Sequence, residues 1–429
     1  MCIRDSLDFL GCRLNQAEIE QMAREFAARG DTIVDTPEEA DRVVINTCAV
    51  TRNAGKVSRR LIRQAARANP NAAIIATGCY AQIAPEKVAS LPNVAEIVDN
   101  LDKDRLVPLV SGSADAPYDL EPHQRDPLPP GTLGRTRAFV KVQDGCDNRC
   151  TFCVTTLARG AGRSRPMGEV IREINALAQA GYREVVLTGV HLGSWGQDHG
   201  EDLAMLVRAV LHRTRVERIR LSSLEPWDLT PDFFELWSDD RLCPHLHLPL
   251  QSGSDATLRR MARRTTQAQF SALVEAARRR IPDLCLTTDI IVGFPGETAA
   301  EFGDSLDFVR TLGFARLHCF PYSARPGTAA ARRPDHVPNW IKKERMQQML
   351  ALSEGQWAAF QRGQVGRTAP VLWESARGSG PDGIRWTGYT PHYVPVEANG
   401  PADLANTITP VELTDFDGTT LSGTIRSHR

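Results

Sequence analysis

The sequence predicts an α/β protein built from an open parallel α/β domain, a partial (β/α) barrel and a small β-barrel. Three observations predict this architecture. Short apolar runs alternate with amphipathic stretches over the first hundred residues, the alternation returns in six units between residues 138 and 320, and residues 363–429 show only short β-like runs. With 429 residues, 42 % of them hydrophobic, the chain can fill several cores.

The first predicted domain, residues 1–110, alternates strand-like and helix-like segments, which favours a small parallel sheet. Residues 1–6 fit this alternation poorly, so we expect them to lie outside it. The apolar runs end at Gly11 or cover 42–45, 72–77 and 94–98, and the helical patterns cover 15–29 and 56–68.

Residues 111–134 are rich in proline and glycine, break both periodicities and are predicted to be a linker. The second domain, residues 135–362, contains six βα-like units, which fit a partial or full barrel. It ends in a charged helix at about 339–362. Its strand-like runs cover 138–142, 184–187, 218–221, 245–248, 284–292 and 316–320.

The last predicted domain, residues 363–429, is a small all-β module with turns between its strands. Residues 362–429 carry six arginines, no lysine and seven acidic residues, which argues against strong electrostatic binding of RNA. Stacking of bases on aromatic side chains remains open. The β-like runs cover 369–374, 388–396, 408–414 and 420–425, and the candidate aromatics are Trp373, Trp386, Tyr389 and Tyr393.

The overall composition sets limits on partners and location. The net charge is −1, so any RNA must be held by local basic patches. We find no run of about 18 apolar residues and no export signal, and we expect a cytoplasmic protein without membrane contact. Ten cysteines in such a chain indicate metal ligands, reactive thiols or buried small side chains, because the cytosol keeps thiols reduced.

Three cysteines follow the first strand of the second domain in the segment Cys146-Asp-Asn-Arg-Cys150-Thr-Phe-Cys153. Thiolates at this spacing can hold three irons of a [4Fe–4S] cluster and leave the fourth iron free to bind a substrate. The alternative is a zinc site with a remote fourth ligand. Zinc ribbons use paired Cys-x-x-Cys units, however, and no second pair is present.

Cys12, Cys48 and Cys79 form a second candidate metal site. Each stands at the C-terminal end of an apolar run and precedes a helical segment. Because the C-terminal ends of parallel strands lie along one edge of a sheet, the three thiols are expected to converge there. The alternative is that they are unrelated buried thiols. Cys243, Cys285 and Cys319 lack any ligand spacing and are interpreted as core residues.

The Cys146–Cys153 spacing resembles the radical S-adenosylmethionine signature. Two further segments are similar to parts of that superfamily. Thr188-Gly189 ends a strand where the superfamily's backbone meets the methionine amino group, and Gly293-Phe-Pro295-Gly296-Glu297 resembles its S-adenosylmethionine-contacting turn. An ordinary strand end is the alternative for each. The resemblance implies that Cys146, Cys150 and Cys153 hold the catalytic cluster and that these segments bind S-adenosyl-L-methionine.

The segments Gly-Cys12-Arg-Leu-Asn, Asn-Thr-Cys48-Ala-Val and Thr-Gly-Cys79-Tyr-Ala resemble the cluster-binding motifs of the methylthiotransferases, and the match runs through nearly the whole chain. The resemblance implies two [4Fe–4S] clusters, a TRAM-like last domain, a tRNA anticodon stem-loop as substrate, and an electron donor such as flavodoxin or ferredoxin. One S-adenosylmethionine would methylate sulfur at the first-domain cluster, and another would supply the radical that activates C2 of an adenine.

The segment Leu187-Thr-Gly-Val-His191-Leu-Gly-Ser194 is most similar to the branch that modifies N6-threonylcarbamoyladenosine beside the anticodon. That group carries a carboxylate and a hydroxyl, so its pocket should have a cationic or hydrogen-bonding wall, for which His191 and Ser194 are candidates. Isopentenyladenosine, a ribosomal-protein side chain, and a non-enzymatic RNA-binding protein with structural clusters remain alternatives.

Several basic residues are candidates for contacts with RNA phosphates, because the planar arginine head group donates two hydrogen bonds at once. For Arg259, Arg260, Arg263 and Arg264, the alternative is a solvated helix face. The side chains of His245 and His247 share one face of their strand, either in the barrel interior or packed and hydrogen-bonded. The arginine candidates are Arg135, Arg137, Arg159, Arg163, Arg165, Arg259, Arg260, Arg263 and Arg264.

Overall fold

The computed structural model describes residues 3–112, 127–131, 136–380 and 383–426. No helix within these ranges is long and apolar enough to cross a membrane. The architecture is α/β, as predicted, with two parallel α/β units followed by a small barrel.

The first unit is a five-stranded parallel sheet in the order β2-β1-β3-β4-β5. The expectation for residues 1–6 was wrong in part, because β1 begins at Arg4. Asp5 is fully buried in that strand, where its carboxylate pairs with Arg42 at 2.6 Å. This long-range pairing partly offsets the cost of burying the charge. The elements are β1 Arg4–Phe9, α1 Arg13–Ala28, β2 Thr32–Ile33, β3 Arg42–Thr47, α2 Arg52–Ala68, β4 Ala73–Gly78, α3 Cys79–Ile83, α4 Pro85–Ala89, β5 Val94–Ile97 and α5 Leu106–Val110.

The second unit is a partial barrel of six parallel strands, which confirms the six predicted βα units. Two three-stranded sheets, β6-β9-β10 and β11-β12-β13, are joined by isolated parallel bridges such as Ser223 to His247. The short strands β7 and β8 pair beside the cysteine segment. The elements are β6 Arg137–Lys141, β7 Gln143–Asp144, α6 Thr155–Arg159, β8 Arg163–Ser164, α7 Met167–Gln179, β9 Glu184–Thr188, α8 Leu203–Arg213, β10 Arg218–Leu221, β11 His245–His247, α9 Asp255–Arg260, α10 Gln267–Arg280, β12 Cys285–Val292, α11 Ala299–Leu312 and β13 Arg316–Pro321.

A long helix, α12 Asn339–Arg362, leads into a closed barrel of five strands. The predicted run 388–396 is two strands, because the chain turns at Thr390–Val394, where Tyr393 has a positive φ of 65°. Trp373 and Trp386 are buried in the barrel core. The strands are β14 Thr368–Gly380, β15 Gly383–Tyr389, β16 Pro395–Gly400, β17 Ile408–Phe416 and β18 Leu421–Ile425.

The division into domains at residues 110, 134 and 362 stays a prediction. Separate apolar cores lie in the first unit, in the (β/α) barrel and in the closed barrel. Residues 113–126 and 132–135, most of the predicted linker together with Arg135, lie outside the described residues.

Candidate active site

The three first-domain cysteines follow three neighbouring strands. Cys12 comes shortly after β1, Cys48 directly after β3 and Cys79 directly after β4, and these strands lie side by side in the order β1-β3-β4. Neighbouring strands are about 4.8 Å apart, so the three strand ends bring the cysteines to one sheet edge. This is the placement expected for a shared site.

Glycine precedes Cys12 and Cys79 for a steric reason. Gly11 and Gly78 both have positive φ, at 111° and 93°. A Cβ at Gly11 would lie 2.6 Å from Sγ of Cys48, and a Cβ at Gly78 would lie 2.3 Å from Oδ1 of Asn46. Only glycine therefore lets the chain turn from strand to cysteine so close to its neighbours.

Cys48 and Cys79 are buried, Cys12 is exposed, and a cation lies beside this set. Burial raises the pKa of Cys48 to about 11, and desolvation also raises the pKa of Cys12, which lines a cavity open to solvent. Nε of Arg159 donates to Sγ of Cys79 at 3.4 Å. Cys12 is also the N-cap of α1, where the helix dipole favours negative charge. The surroundings therefore suit thiolates that are bound to a positive centre.

Arg159 joins the first domain to the barrel through a buried network. Its guanidinium donates to Glu18 at 2.8 Å, to Asp144 at 2.9 Å and to Asn15 at 2.7 Å, and Glu18 also accepts from Lys103 at 2.9 Å. The Arg159 residue is only 2 % exposed. The prediction that Arg159 contacts RNA is therefore wrong, because its hydrogen bonds are made to the protein.

The second cysteine set lies on the loop between β7 and α6. Cys153 N–H donates to the carbonyl of Cys150 at 3.0 Å, and Thr155 N–H donates to Sγ of Cys153 at 3.3 Å. The loop is entered through Gly145, which has φ 72° and where a Cβ would lie 1.8 Å from the carbonyl oxygen of Ala161. The chain can therefore form this turn only with glycine before Cys146.

Two cations accompany this set. Nη1 of Arg263 lies 3.7 Å from Sγ of Cys150 and 3.0 Å from the Glu225 carboxylate. Burial acts to lower the pKa of His191, but hydrogen bonds to Asp228 and Cys146 outweigh it and raise that pKa to about 10. Both charges depend on acidic partners distant in the sequence, which is why sequence analysis missed these roles.

An aromatic cluster ties the cysteine loop to the segment after β12. Phe152, from the cysteine loop, packs against the group that contains Phe294 and Tyr322. Gly293 and Gly296 have φ 69° and 78°, and added Cβ atoms would lie 2.4 Å from Lys342 Cγ and 2.5 Å from Asp335 Oδ2. The structure thus brings the Gly293-Phe-Pro295-Gly296 turn against the Cys146–Cys153 loop.

A cavity of about 560 Å³ lies between the first-domain cysteines and the barrel interior. Cys12 and Cys79 line it together with Thr188 and Gly189. Thr155, whose N–H contacts Cys153, also belongs to the wall. Gly293, Pro295 and Gly296 lie outside this lining, as do Cys48, Cys146, Cys150 and Cys153.

Several polar and charged side chains also line the cavity. His245 and His247 both line it, so they face the barrel interior; His247 Nδ1 is also 2.9 Å from Thr287 Oγ1, whereas Nδ1 of His245 is buried without a partner among the described residues. Arg13, Arg316 and Asp289 also line the cavity. Asp289 lies 3.3 Å from Nε2 of His247, and neither arginine forms an ion pair with a described carboxylate. His191 and Ser194, predicted for such a wall, are not part of the lining.

Comparisons with known proteins identify the family. Residues 140–309 match the Radical SAM superfamily, and residues 5–99 match the family described as Uncharacterized protein family UPF0004. The chain is 36 % identical over 423 residues to the threonylcarbamoyladenosine tRNA methylthiotransferase MtaB of Bacillus subtilis, with 94 % of this chain and 92 % of that protein covered. The chain belongs to the tRNA methylthiotransferase family. The methylthiotransferase resemblance is thereby confirmed, and the non-enzymatic alternative is set aside.

A second methylthiotransferase relative bears a different substrate in its name. The tRNA-2-methylthio-N(6)-dimethylallyladenosine synthase of Novosphingobium aromaticivorans is also 36 % identical, over 425 residues, covering 96 % of this chain and 95 % of that protein. Among solved structures, the radical S-adenosylmethionine methyltransferase TsrM from Kitasatospora setae shares the fold, with TM-score 0.57, 14 % identity and 77 % of each chain covered.

The methylthiotransferase family uses S-adenosylmethionine and two [4Fe–4S] clusters, and the residues present fit these groups. Each set offers three thiols with a cation against at least one of them: Arg159 at Cys79, and Arg263 at Cys150. No three His, Cys, Asp or Glu side chains among the described residues are arranged around a single ion.

The structure also corrects the predicted RNA contacts. Arg137 pairs with Glu374, Arg165 with Glu173, Arg260 with Glu301 and Arg263 with Glu225. Arg163, Arg259 and Arg264 remain exposed. Trp373 and Trp386 are 0 % and 4 % exposed, so neither can stack on a base, while Tyr389 and Tyr393 pack against Arg137.

Proposed function

We propose that this enzyme adds a methylthio group to C2 of N6-threonylcarbamoyladenosine beside the anticodon of tRNA. The observation that carries the proposal is the shared cavity, whose wall includes Cys12 and Cys79 of one cysteine set and Thr155, which contacts the other. Its volume of about 560 Å³ lies within the range of ligand pockets. An adenine held there would face the residues of both domains.

The proposed cofactor sites follow from the positions of the two cysteine sets and of the turns beside them. Cys146, Cys150 and Cys153 would hold the catalytic cluster, and the first-domain cysteines would hold the second. Thr188 and Gly189, with the turn 293–296, would contact S-adenosylmethionine. When bound, these groups supply the radical and the methylthio group; a flavodoxin or ferredoxin would deliver the electron. The chain's own part is to position the adenine and to exclude water from the cavity.

Two arginines of the cavity lining favour threonylcarbamoyladenosine over a dimethylallyl substrate. Arg13 and Arg316 lack carboxylate partners among the described residues, although Arg13 lies 5.2 Å from the Tyr393 ring centre and Arg316 5.3 Å from that of Trp357. A threonylcarbamoyl carboxylate would supply the missing anion. A dimethylallyl group would leave these guanidinium groups without an anionic partner.

The test compares two synthetic anticodon stem-loop RNAs, one carrying threonylcarbamoyladenosine and one carrying dimethylallyladenosine. We expect Arg316→Gln to raise KM for the first RNA at least tenfold, since one charged hydrogen bond contributes about 1.5–3 kcal/mol, and to leave the second RNA unaffected. Arg310→Gln, an exposed surface change on α11, is the control. Turnover of only the dimethylallyl RNA by the unaltered enzyme would reject the substrate assignment and leave the enzyme class intact.

A further inference from the structure

The second helix of the first domain is strongly basic although the chain as a whole has a net charge of −1. Helix α2 carries six arginine and lysine residues and no aspartate or glutamate in 17 positions. A solvated helix usually mixes both signs, because oppositely charged residues four positions apart stabilise it. The composition of α2 therefore points to an external source of negative charge.

Four of these cations lie on one exposed face, which we call the α2 basic face: Lys56, Arg60, Arg63 and Arg67. Their spacing of four, three and four residues places them in one row along the helix. At 1.5 Å per residue the row is about 16 Å long. None of the four forms an ion pair with another described residue, although Glu38 and Glu39 lie on the 3₁₀ turn that packs near this helix.

A groove of about 870 Å³ begins at the N-terminal end of α2, where Lys56 is one of its lining residues. We call it the α2–α12 groove. Three lysines and no acidic residue line it, and two of its apolar residues, Phe320 and Leu350, are 40 % and 39 % exposed. Its lysines are Lys56, Lys342 and Lys343. Cations beside exposed apolar and aromatic side chains are the combination that binds single-stranded nucleic acid.

The groove adjoins the catalytic cavity. Val50 lines the cavity and is 58 % exposed, and the next residue, Thr51, lines the groove and caps α2 through its hydroxyl. On the other side, Trp357 of the cavity and Leu350 of the groove lie seven residues apart on α12, about 10 Å along the helix. A polymer bound along the groove could therefore place one unit in the cavity.

We propose that the α2 basic face and the α2–α12 groove bind the sugar–phosphate backbone of the substrate RNA and direct its target adenosine into the cavity. The inference rests on the proposed function, because it takes RNA as the substrate. Charge complementarity selects the occupant: a row of cations without internal partners matches a row of phosphates. The target base leaves its stack to enter the cavity, as in other enzymes that act on a base.

The test measures binding of three fluorescent anticodon stem-loop RNAs to the anaerobically purified holoenzyme by anisotropy between about 50 and 300 mM salt. The RNAs carry unmodified adenosine, threonylcarbamoyladenosine or dimethylallyladenosine. Replacing all four residues of the α2 basic face by glutamine should weaken binding of each RNA at least tenfold at the lowest salt. It should also reduce the slope of log K against log salt by about 3, since each phosphate contact contributes about 0.7–0.9.

A matched control removes four exposed arginines that lie on helices α8 and α10 of the (β/α) barrel or just after α8. The changes are Arg208→Gln, Arg213→Gln, Arg215→Gln and Arg279→Gln. This variant loses the same net charge and should keep the affinity and the slope. Two half-variants, Lys56→Gln with Arg60→Gln and Arg63→Gln with Arg67→Gln, should each give about half the slope change, which covers the case in which the fourfold variant does not fold.

Equal affinity and slope for the unaltered and fourfold proteins would overturn the inference. Slower reduction by an acidic flavodoxin, with RNA binding unchanged, would likewise overturn it and assign the face to the electron donor. Failure of the substrate assignment looks different: the preference among the three RNAs would change, while the loss on replacing the α2 basic face would remain equal for all three.

Discussion

Arg159 offers the sharpest test of how the two cysteine sites are held together. Its guanidinium bonds to Glu18 and Asn15 from the first domain and to Asp144 beside the second cysteine loop. Arg159→Met keeps the length of the side chain but removes the charge and every donor. The change leaves two buried carboxylates with fewer partners.

The magnitude follows from the contacts that remain. Removing one partner from a buried ion pair costs about 3–5 kcal/mol. Here Lys103 still lies 2.9 Å from Glu18, and Lys141 lies 3.9 Å from Glu18 and 3.7 Å from Asp144. The two lysines partly compensate, so we expect the lower end of that range, about 3 kcal/mol.

Hydrogen–deuterium exchange measures this loss locally. A decrease of about 3 kcal/mol in the free energy of opening corresponds to roughly 100-fold faster exchange for amides of α1 and α6. Arg163→Met, four residues along and with a side chain that is 44 % exposed, is the control and should change exchange by no more than a few-fold. Unchanged protection in α1 after Arg159→Met would refute the view that this network joins the two domains.

Three further predictions follow from the sites and the barrel. Replacing all three cysteines of the 146–153 loop by alanine should remove about half the iron and all S-adenosylmethionine cleavage. The same change at Cys12, Cys48 and Cys79 should spare cleavage and abolish methylthiolation. Methylthiolated RNA from this second variant would contradict the two-cluster assignment. Gly145→Ala should lower the iron content of the purified protein, because the added Cβ would lie 1.8 Å from a carbonyl oxygen, while Gly303→Ala, which meets nothing within 4 Å, should leave it unchanged. Burial lowers the pKa of His392 to about 4 from 6.5. Below pH 6.5 the unfolded chain therefore binds a proton that the folded chain does not bind, and the free energy of unfolding falls as the pH drops from 6.5 to 4. His392→Gln should reduce that fall in urea unfolding measured at pH 7 and pH 5, and an unchanged pH dependence would contradict the prediction.

Much of the fold could be predicted because its strands are locally apolar. The run 316–320 became β13 Arg316–Pro321, and the helix at 339–362 has the predicted bounds. The placement of Cys12, Cys48 and Cys79 at one sheet edge also followed from local pattern, because parallel strands share the direction of their ends. Residues 4–6 were missed since a charged strand is recognisable only when its partner, here Arg42, is known.

The surroundings of the cysteines could not be predicted, since they depend on contacts between distant residues. Arg159 and Glu18 are 141 positions apart in the sequence, yet they form a buried ion pair. Arg159 was predicted to contact RNA because this partner could not be recognised from the sequence. His191 was assigned to a substrate wall, but Asp228 holds it beside Cys146. The sequence showed which residues could carry charge, and tertiary packing decided which of them still face outward.

Nucleoside analysis of tRNA tests the central claim most directly. The protein is expressed in a strain that lacks its own methylthiotransferases, and the tRNA is digested and examined by mass spectrometry. We predict the 2-methylthio form of N6-threonylcarbamoyladenosine, and its loss when the cysteines of either set are replaced. Threonylcarbamoyladenosine that stays unmodified, with methylthio groups found only on dimethylallyladenosine, would contradict the account.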